Sequence, residues 1–305
     1  MNVFERVTVI GVGLIGGSLG MAIRARGLAR EVVGVTRVES SIPLALARRA
    51  IDRGTADPVA GVRGADLVVL ATPPEQVVSL AQRVRSNLRP EAIVTDVASV
   101  KTEIVHATGG LLPQGGAVFV GGHPMAGNEG QGITAADPDL FEQAAYLLTP
   151  TPQTPRTAVE RLEELARALG AVPVVMTPEE HDNSVAMVSH LPYLVAAALM
   201  RAAVHAGPVA GPAFLGATRV AGSPVALWAQ ICRLNREPIQ NALRAFREEL
   251  ARLEAEIEDG GRLDDLLEAA KRARLQLGAA TREKKSNSEQ LGGEDACGGT
   301  RDPRI

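Results

Sequence analysis

Cysteine is scarce in this sequence of 305 residues, and so is excess charge of either sign. Cys232 and Cys297 lie far apart and in no ligand spacing, which argues against a disulfide framework and against a zinc site. The net charge of −3 gives no reason to expect a nucleic-acid partner or an anionic membrane surface. The length and the 46% hydrophobic content predict an ordinary soluble protein of about two domains. Because the cysteines have no ligand spacing, we expect no bound metal.

No stretch of the sequence has the pattern of a targeting segment. The N-terminal stretch has no basic segment, apolar core and small-residue cleavage site in succession, so we expect no signal peptide. The segment Val185–Val204 is strongly apolar, but His190, Pro192 and Arg201 interrupt it, which favours a buried helix over a membrane span. We therefore expect a cytoplasmic protein without a membrane partner.

Glycines follow the first predicted strand, Val7–Val12. Gly11, Gly13 and Gly16 form the pattern G-x-G-x-x-G, and a helix is predicted to follow over Leu14–Arg26. In this context the first glycine makes the turn, the second admits a pyrophosphate, and the third lets helix and strand pack closely. The cofactor-binding residues predicted at this turn are Gly11, Gly13, Leu14, Ile15 and Gly16.

The second predicted strand, Glu31–Thr36, bears on the choice of cofactor. A carboxylate that accepts the ribose hydroxyls of NAD is expected near its end, but Thr36 and Arg37 occupy this place. An arginine suits the 2′-phosphate of NADP, and we therefore predict NADP, bound in part by Thr36 and Arg37. The alternative is NAD, with Glu39 in the acidic role.

Strands and helices continue to alternate along the chain, which predicts a doubly wound, mostly parallel Rossmann-type α/β sheet. Ligands of such sheets gather at the carboxyl ends of the strands, where Thr72, Pro73, Ser99 and His123 are expected to face one crevice. The strands are predicted over Leu67–Ala71, Ala92–Asp96, Ala117–Val120, Ala145–Leu148 and Val172–Met176, with helices from about Glu75 to Asn87, from Val100, and over Ala158–Leu169.

The stretch Val118–Gly132 places His123 between glycines at the end of a strand. An imidazole exchanges protons near neutral pH, and glycines let a ligand approach the backbone closely. His123 is therefore a candidate proton acceptor, and the neighbouring glycines are predicted to leave room for a substrate.

The character of the chain changes at Thr177. Thr177 and Glu180 form a capping box with proline between them, and only helices are predicted from there to Leu277. His181 and His190 should lie on opposite sides of a straight helix, so a metal that both of them bind is not expected. The predicted domains are a dinucleotide-binding domain over 1–176, a helical domain over 177–277 and a disordered tail over 278–305.

One helix of the second domain carries a heptad seam. Its apolar residues step alternately by four and three, which is the spacing of a helix that packs along another long helix. We therefore predict an all-helical dimerisation domain and a homodimer. The seam residues are Ile239, Leu243, Phe246, Leu250, Leu253 and Ile257.

These motifs together resemble the prephenate/arogenate dehydrogenase family of tyrosine biosynthesis. The similarity runs from Val7 to about Leu277 and includes VIGVGLIGGSL (9–19), TDVASVK (95–101), GGHPMAG (121–127), HDNSVAMVSHLPY (181–193) and TRVAGSPVALW (218–228). The resemblance implies oxidation of a ring alcohol, with hydride passing to a nicotinamide and loss of carbon dioxide.

The resemblance also implies roles for individual residues. His123 matches the catalytic histidine, which draws the proton from the substrate hydroxyl, and Ser99 matches a serine that orients the histidine and the substrate. Arg219 matches an arginine that binds a substrate carboxylate. Other expected substrate contacts are Asn128, Glu129 at the pocket edge, and Tyr193. His181 and His190 are implied as support, and Trp228 as a residue near the subunit interface.

Two questions stay open at this stage. Tyr193 stands where prephenate-preferring members tend to carry a histidine, and its hydroxyl can hydrogen-bond with either prephenate or arogenate. The class of function also has alternatives. A different NADP-dependent imine or hydroxyacid oxidoreductase, or a non-catalytic NADPH sensor, would combine the same two kinds of domain.

Overall fold

The computed structural model describes residues 3–112, 116–128 and 130–277, and contains one eight-stranded sheet in the order β3-β2-β1-β4-β5-β6-β7-β8. Neighbouring strands are parallel except for the antiparallel pair β6 and β7. The predicted doubly wound fold is thereby confirmed. The strands are β1 Phe4–Ile10, β2 Ala29–Val35, β3 Arg53–Thr55, β4 Leu67–Leu70, β5 Ile93–Asp96, β6 Val118–Pro124, β7 Ala145–Thr149 and β8 Val172–Val175.

Helices cover both faces of this sheet, so its central strands bury side chains on both sides. In β4, Val69 packs into one core, while Val68 and Leu70 pack into the other core on the opposite face. This alternation follows from the two-residue period of a strand. The helices that cover the sheet are α1 Leu14–Ala25, α2 Ile42–Ala47, α3 Pro58–Gly61, α4 Pro74–Val84, α5 Thr102–Gly109 and α6 Arg156–Ala168.

Three short elements were not predicted, namely β3, α2 and α3. Strand β3 has only three residues and pairs with β2 from Val33↔Arg53 to Val35↔Thr55. Such a short edge strand carries no periodic pattern of its own and is defined by the strand beside it. The long predicted elements agree with the structure to within a few residues at their ends.

The capping box at Thr177 is confirmed. The Thr177 hydroxyl accepts a hydrogen bond from the Glu180 amide at 3.1 Å, and the Glu180 carboxylate accepts one from the Thr177 amide at 2.8 Å. A π-helical segment, Ala186–His190, then separates two α-helices. The helices that follow β8 are α7 Pro178–Val185, α8 Leu191–Ala202, α9 Pro212–Thr218, α10 Val225–Leu234, α11 Arg236–Asp259 and a last helix over 263–277.

The helical run Pro178–Ala202 is long and apolar enough to cross a membrane by length and composition alone. One third of its most apolar window is buried inside the protein. A buried core helix passes the same test, so this single segment is weak support for a membrane span.

The chain divides into two compact units, with the boundary inside α11 between Ala242 and Leu243. Helices α7 to α10 belong to the first unit because their side chains hold them to it: Asp182 accepts hydrogen bonds from the start of α5, and Arg233 pairs with Glu75 of α4 at 2.6 Å. The second unit contains most of α11 and the helix over 263–277. The predicted tail, 278–305, lies outside the described residues.

Candidate active site

The glycine turn between β1 and α1 has the shape that a dinucleotide requires. Gly11 has φ +99°, and a Cβ there would lie 2.3 Å from the carbonyl oxygen of Ala71. A Cβ on Gly16 would lie 2.1 Å from the Gly11 carbonyl oxygen. At Gly13, by contrast, a Cβ would meet no described atom within 4 Å. Gly11 and Gly16 are therefore required by close packing, whereas Gly13 leaves open space before the N-terminus of α1, where a pyrophosphate fits.

The other predicted cofactor residues surround this turn. Leu14 and Ile15 form the first turn of α1, and Ile15 packs against the core. The hydroxyl of Thr72 is buried and has no hydrogen-bond partner among the described residues, and Thr72 Cγ2 lies close to Gly11. Pro73 precedes α4 as its N-cap residue. A buried hydroxyl without a partner beside the open space is a ready ligand for a cofactor.

Thr36 and Arg37 differ in how free their side chains are. Thr36 is buried, and its hydroxyl donates a hydrogen bond to the Val38 carbonyl at 2.8 Å. Arg37 is exposed beyond the end of β2, and Glu39, also exposed, begins a short 3-10 turn. Because the Thr36 hydroxyl already donates within its own loop, Arg37 is the better placed of the two to bind a phosphate.

His123 lies within strand β6, not in a loop after it. The strand continues through Gly121 and Gly122 to Pro124 because β7 pairs with it, with His123 opposite Leu147. The prediction that these glycines leave room for a substrate is wrong for both of them. A Cβ on Gly121 would lie 2.3 Å from Thr149 Oγ1, and one on Gly122 would lie 2.7 Å from the Asp96 carbonyl oxygen. Protein atoms, not ligand, occupy the space beside them.

A chain of hydrogen bonds leads away from His123. Its Nδ1 atom lies 2.9 Å from His181 Nε2, and His181 Nδ1 lies 2.8 Å from Asp182 Oδ1. Asp182 also accepts hydrogen bonds from the Lys101 and Thr102 amides, each at 2.8 Å, so it caps the N-terminus of α5. All three members of the chain are buried. His123 is thus fixed through residues of α7 to the first turn of α5.

A buried ion pair supports the strand that carries His123. Lys101 and Asp96 are both fully buried, and the Lys101 ammonium group pairs with Asp96 Oδ2. The Asp96 carboxylate also accepts hydrogen bonds from the Ala98 amide at 3.0 Å and from the Gly122 amide at 3.1 Å. Asp96 therefore holds the backbone one residue before His123.

Burial controls the charge states in this cluster. Burial, and then the nearby His181, Lys101 and His190, hold the pKa of His123 well below its ordinary value. Burial likewise lowers the pKa of His181, although its hydrogen bond to Asp182 opposes the shift. Burial raises the pKa of Asp182, but hydrogen bonds from His181 and Thr102 outweigh it and lower the pKa overall. At neutral pH both histidines are uncharged and Asp182 is ionised.

His190 forms a second part of the buried cluster. The Asn235 amide nitrogen lies 3.1 Å from His190 Nδ1 and donates to the Asp182 carbonyl at 2.9 Å. His190 Nδ1 therefore accepts, and its Nε2 carries the proton. Burial lowers the pKa of His190, and a hydrogen bond to the Ser99 backbone opposes part of this shift. Ser99 lies in the loop between β5 and α5, which begins at Thr102.

Stability should fall in acid because burial lowers the pKa of His190 to about 4, from an ordinary 6.5. In the unfolded chain His190 binds a proton below pH 6.5, whereas in the folded chain it binds one only near pH 4. The unfolding free energy is therefore highest above pH 6.5 and falls between pH 6.5 and pH 4. We expect His190 alone to remove about 3 kcal/mol of unfolding free energy over this window. Urea unfolding of the wild type and of His190→Gln at pH 7 and pH 4 measures the difference, and equal pH dependence in both proteins would contradict it.

The predicted substrate residues lie on several elements. Tyr193 is buried and stacks on Trp228 with ring centroids 3.8 Å apart, and Trp228 in turn meets His190 edge to face at 5.9 Å. Arg219 is exposed at the start of a 3-10 turn after α9. Tyr193 therefore joins the His190 side of the cluster, and Arg219 begins a turn that packs against α8, the helix that carries Tyr193.

Asn128 belongs to the loop that follows β6. Asn128 Oδ1 accepts a hydrogen bond from the Gly130 amide at 2.8 Å, and its amide nitrogen lies 3.4 Å from the Ala135 carbonyl oxygen. Both ends of the Asn128 side chain are thus used within the loop. Glu129 lies outside the described residues.

Sequence reasoning missed Asp96, Lys101, Asp182 and Asn235. Asp182 caps a helix about 80 residues earlier in the chain, and Asn235 contacts His190, 45 residues earlier, so no local pattern reveals these roles. Asp96 and Lys101 do leave a signal, since each is a charged residue in an otherwise apolar or small stretch around the end of β5. Charged residues that are buried in this way are almost always paired.

A glycine turn at the carboxyl edge of a doubly wound sheet, together with a buried uncharged histidine on the same edge, defines the class of a dinucleotide-binding oxidoreductase. Residues 19–175 match the family described as "Prephenate dehydrogenase, nucleotide-binding domain", and residues 177–272 match "Prephenate dehydrogenase, dimerization domain". The chain belongs to the prephenate dehydrogenase family.

Individual relatives agree with this assignment. The prephenate dehydrogenase of Bacillus subtilis (strain 168) is 34% identical over 262 residues, which cover 83% of this chain and 70% of the relative. A prephenate dehydrogenase structure from A. aeolicus, in complex with hydroxyphenyl propionate and NAD+, has a TM-score of 0.81 and 30% identity, covering 90% of this chain and 98% of that one. A Synechocystis arogenate dehydrogenase structure has a TM-score of 0.78 and 33% identity, and the match covers 89% of this chain and 99% of that one.

Proposed function

We propose that this protein catalyses the NAD(P)-dependent oxidative decarboxylation of prephenate to 4-hydroxyphenylpyruvate, or of arogenate to tyrosine. The observation that carries the proposal is the buried, uncharged His123 held by His181 on the same sheet edge as the glycine turn. Relatives named prephenate, cyclohexadienyl and arogenate dehydrogenase support both substrates. A biosynthetic enzyme of this family is expected in the cytoplasm.

The residues of this chain divide the work of the reaction. The glycine turn and the N-terminus of α1 would hold the pyrophosphate of a nicotinamide dinucleotide, which accepts hydride when bound. His123 is uncharged at neutral pH, so its free nitrogen can take the proton of the ring hydroxyl as hydride leaves. Loss of carbon dioxide then makes the ring aromatic, and this step needs no further base.

The remaining site residues stay predictions of the family resemblance. Ser99 is proposed to orient the substrate hydroxyl, and Arg219 to bind a substrate carboxylate through its two-pronged guanidinium group. Tyr193, Asn128 and Glu129 are proposed to contact the substrate or the pocket edge. Of these residues, Tyr193 has the strongest support, because it is buried against Trp228 beside His190.

Steady-state kinetics test the function directly. Prephenate and arogenate are each assayed with NAD and with NADP, following formation of the reduced nicotinamide by its absorbance. Turnover of at least one combination is expected, and the ratio of kcat/KM values identifies the preferred substrate and cofactor. No turnover of either substrate with either cofactor would contradict the proposed function.

The cofactor preference is proposed to favour NADP through Arg37. Arg37→Asp should raise the KM for NADP by more than the KM for NAD, because a carboxylate repels the ribose 2′-phosphate and can accept ribose hydroxyl protons. We expect a change of about tenfold or more in the ratio of kcat/KM values, equal to about 1.4 kcal/mol. Arg30→Asp, on another exposed arginine of the β2 region, is the matched control. A wild type that prefers NAD would show the inference to be wrong.

A homodimer is proposed as the working form. The dimerisation-domain match supports an oligomer, and part of the heptad seam of α11 is exposed among the described residues. Ile239 is buried, but Leu250 is 48% exposed and Ile257 is 68% exposed. A second copy of α11 would bury these side chains in the way a coiled-coil seam does. Sedimentation of the wild type and of a Leu250→Glu, Ile257→Glu variant measures the oligomeric state.

A further inference from the structure

The hydrogen-bond chain Asp182–His181–His123 has a direction, and this direction follows from the chemistry of its members. Asp182 is an ionised carboxylate, which can only accept hydrogen bonds. His181 Nδ1, 2.8 Å from Asp182 Oδ1, must therefore carry the ring proton of His181. Because His181 is uncharged, its Nε2 atom has no proton and can only accept.

The tautomer of His123 follows from that of His181. Its Nδ1 atom lies 2.9 Å from the accepting Nε2 of His181, so Nδ1 of His123 must be the donor and must carry the proton. An uncharged imidazole holds one ring proton, and Nε2 of His123 is then the nitrogen with the free electron pair. No hydrogen bond among the described residues reaches this nitrogen.

We propose that Asp182 and His181 are positioning residues that select the tautomer of His123 in which Nε2 is the proton acceptor. Asp182 fixes the orientation and tautomer of His181, and His181 in turn fixes those of His123. The inference rests on the proposed function, in which His123 takes the proton of the substrate hydroxyl. Without this chain, His123 would sample both tautomers and would often present a proton where the reaction needs an acceptor.

Charged groups around the chain favour the same arrangement. The backbone amides of Lys101 and Thr102 donate to Asp182 and keep it ionised. The Lys101 ammonium group opposes a second proton on His123, and Asp96 neutralises Lys101. When His123 accepts a proton, its new positive charge lies two hydrogen bonds from the Asp182 carboxylate. The negative charge of Asp182 lowers the energy of this protonated state.

The alternative hypothesis is that Asp182 only stabilises the fold, by capping the N-terminus of α5. Two substitutions at His181 separate the readings, because neither removes this cap. His181→Gln keeps the direction of both hydrogen bonds, since an amide can donate to Asp182 with its nitrogen and accept from His123 with its oxygen. His181→Leu removes the acceptor. The structural reading predicts that the two variants differ only in stability, which thermal unfolding reports.

We expect kcat to fall about 10- to 100-fold in His181→Leu, with KM for the cofactor unchanged, and to stay within about threefold of the wild type in His181→Gln. Equal kcat in the wild type and a folded His181→Leu variant would overturn the proposal. So would a loss in His181→Gln as large as the loss in a folded His181→Leu, because the polarity of the hydrogen bonds would then not matter.

A spectroscopic measurement gives the tautomers without reference to activity. The chain has five histidines, so 15N-histidine labelling yields a spectrum that single substitutions can assign. We expect His123 and His181 of the full-length wild type to carry the proton on Nδ1, and His190 to carry it on Nε2. A wild type that turns over substrate while His123 is protonated on Nε2 would refute the tautomer proposal alone. The expected tautomers in a protein that turns over neither prephenate nor arogenate would refute the proposed function alone.

Discussion

His123→Asn is expected to lower turnover by at least about a hundredfold while the nicotinamide cofactor still binds. Asparagine can keep a hydrogen bond from its amide to His181 Nε2, so the buried cluster retains its packing. An amide cannot accept a proton at neutral pH, and the general-base contribution is lost. The glycine turn lies on β1 and α1, distant in the chain from the substitution, and the affinity for the cofactor should stay within about threefold.

Steady-state kinetics and a fluorescence titration with the reduced cofactor measure the two quantities separately. His106→Asn is the matched control, because His106 is exposed on α5 beside Glu179 and should be replaceable without loss. Unchanged turnover in His123→Asn would remove the base from the mechanism and favour another oxidoreductase chemistry. A wild type that binds NADPH and turns over neither substrate would instead favour the sensor reading.

Much of the nucleotide-binding half follows from local sequence. Most strands of the sheet contain several β-branched residues, and the glycine turn occurs where the first of them meets a helix, so the turn at Gly11–Gly16 and the order of elements are readable from the chain. Strand β6 was predicted to end at its glycines. It continues because Gly121 and Gly122 lie against Thr149 and Asp96, and contacts of this kind are absent from local patterns.

The arrangement of the buried histidines could not be predicted from local sequence patterns. The nine-residue spacing of His181 and His190 predicted opposite faces of a straight helix, but the π-helical segment Ala186–His190 lies between them. Both histidines are buried, His181 against His123 and His190 against Asn235. A π-helical turn adds a residue to the helix and changes the angle between the two side chains, and helical periodicity alone contains no sign of it.

Lys101→Met is expected to lower the unfolding free energy by about 3–5 kcal/mol, because it leaves the Asp96 charge buried without its partner. Methionine has nearly the same length, so packing changes little and the loss reports the charge. Asp96 keeps its bonds from the Ala98 and Gly122 amides, but two neutral donors do not replace an ammonium group in a site that water does not reach. Urea unfolding at pH 7 measures the change.

The double variant Lys101→Met, Asp96→Asn separates the charge from the shape. If the buried carboxylate is the cause, neutralising it should recover part of the loss, and the double variant should be more stable than Lys101→Met alone. Arg167→Met, which breaks an exposed pair with Glu163 on α6, should change stability far less because water screens that pair. Equal losses in the single and double variants would attribute the effect to packing. Asp96 accepts from the Gly122 amide with one oxygen and from the Ala98 amide with the other, whereas asparagine has a single acceptor oxygen, so the double variant should still disturb the backbone beside His123. Partial recovery of stability without full recovery of turnover would show that the ion pair both stabilises the fold and positions the histidine.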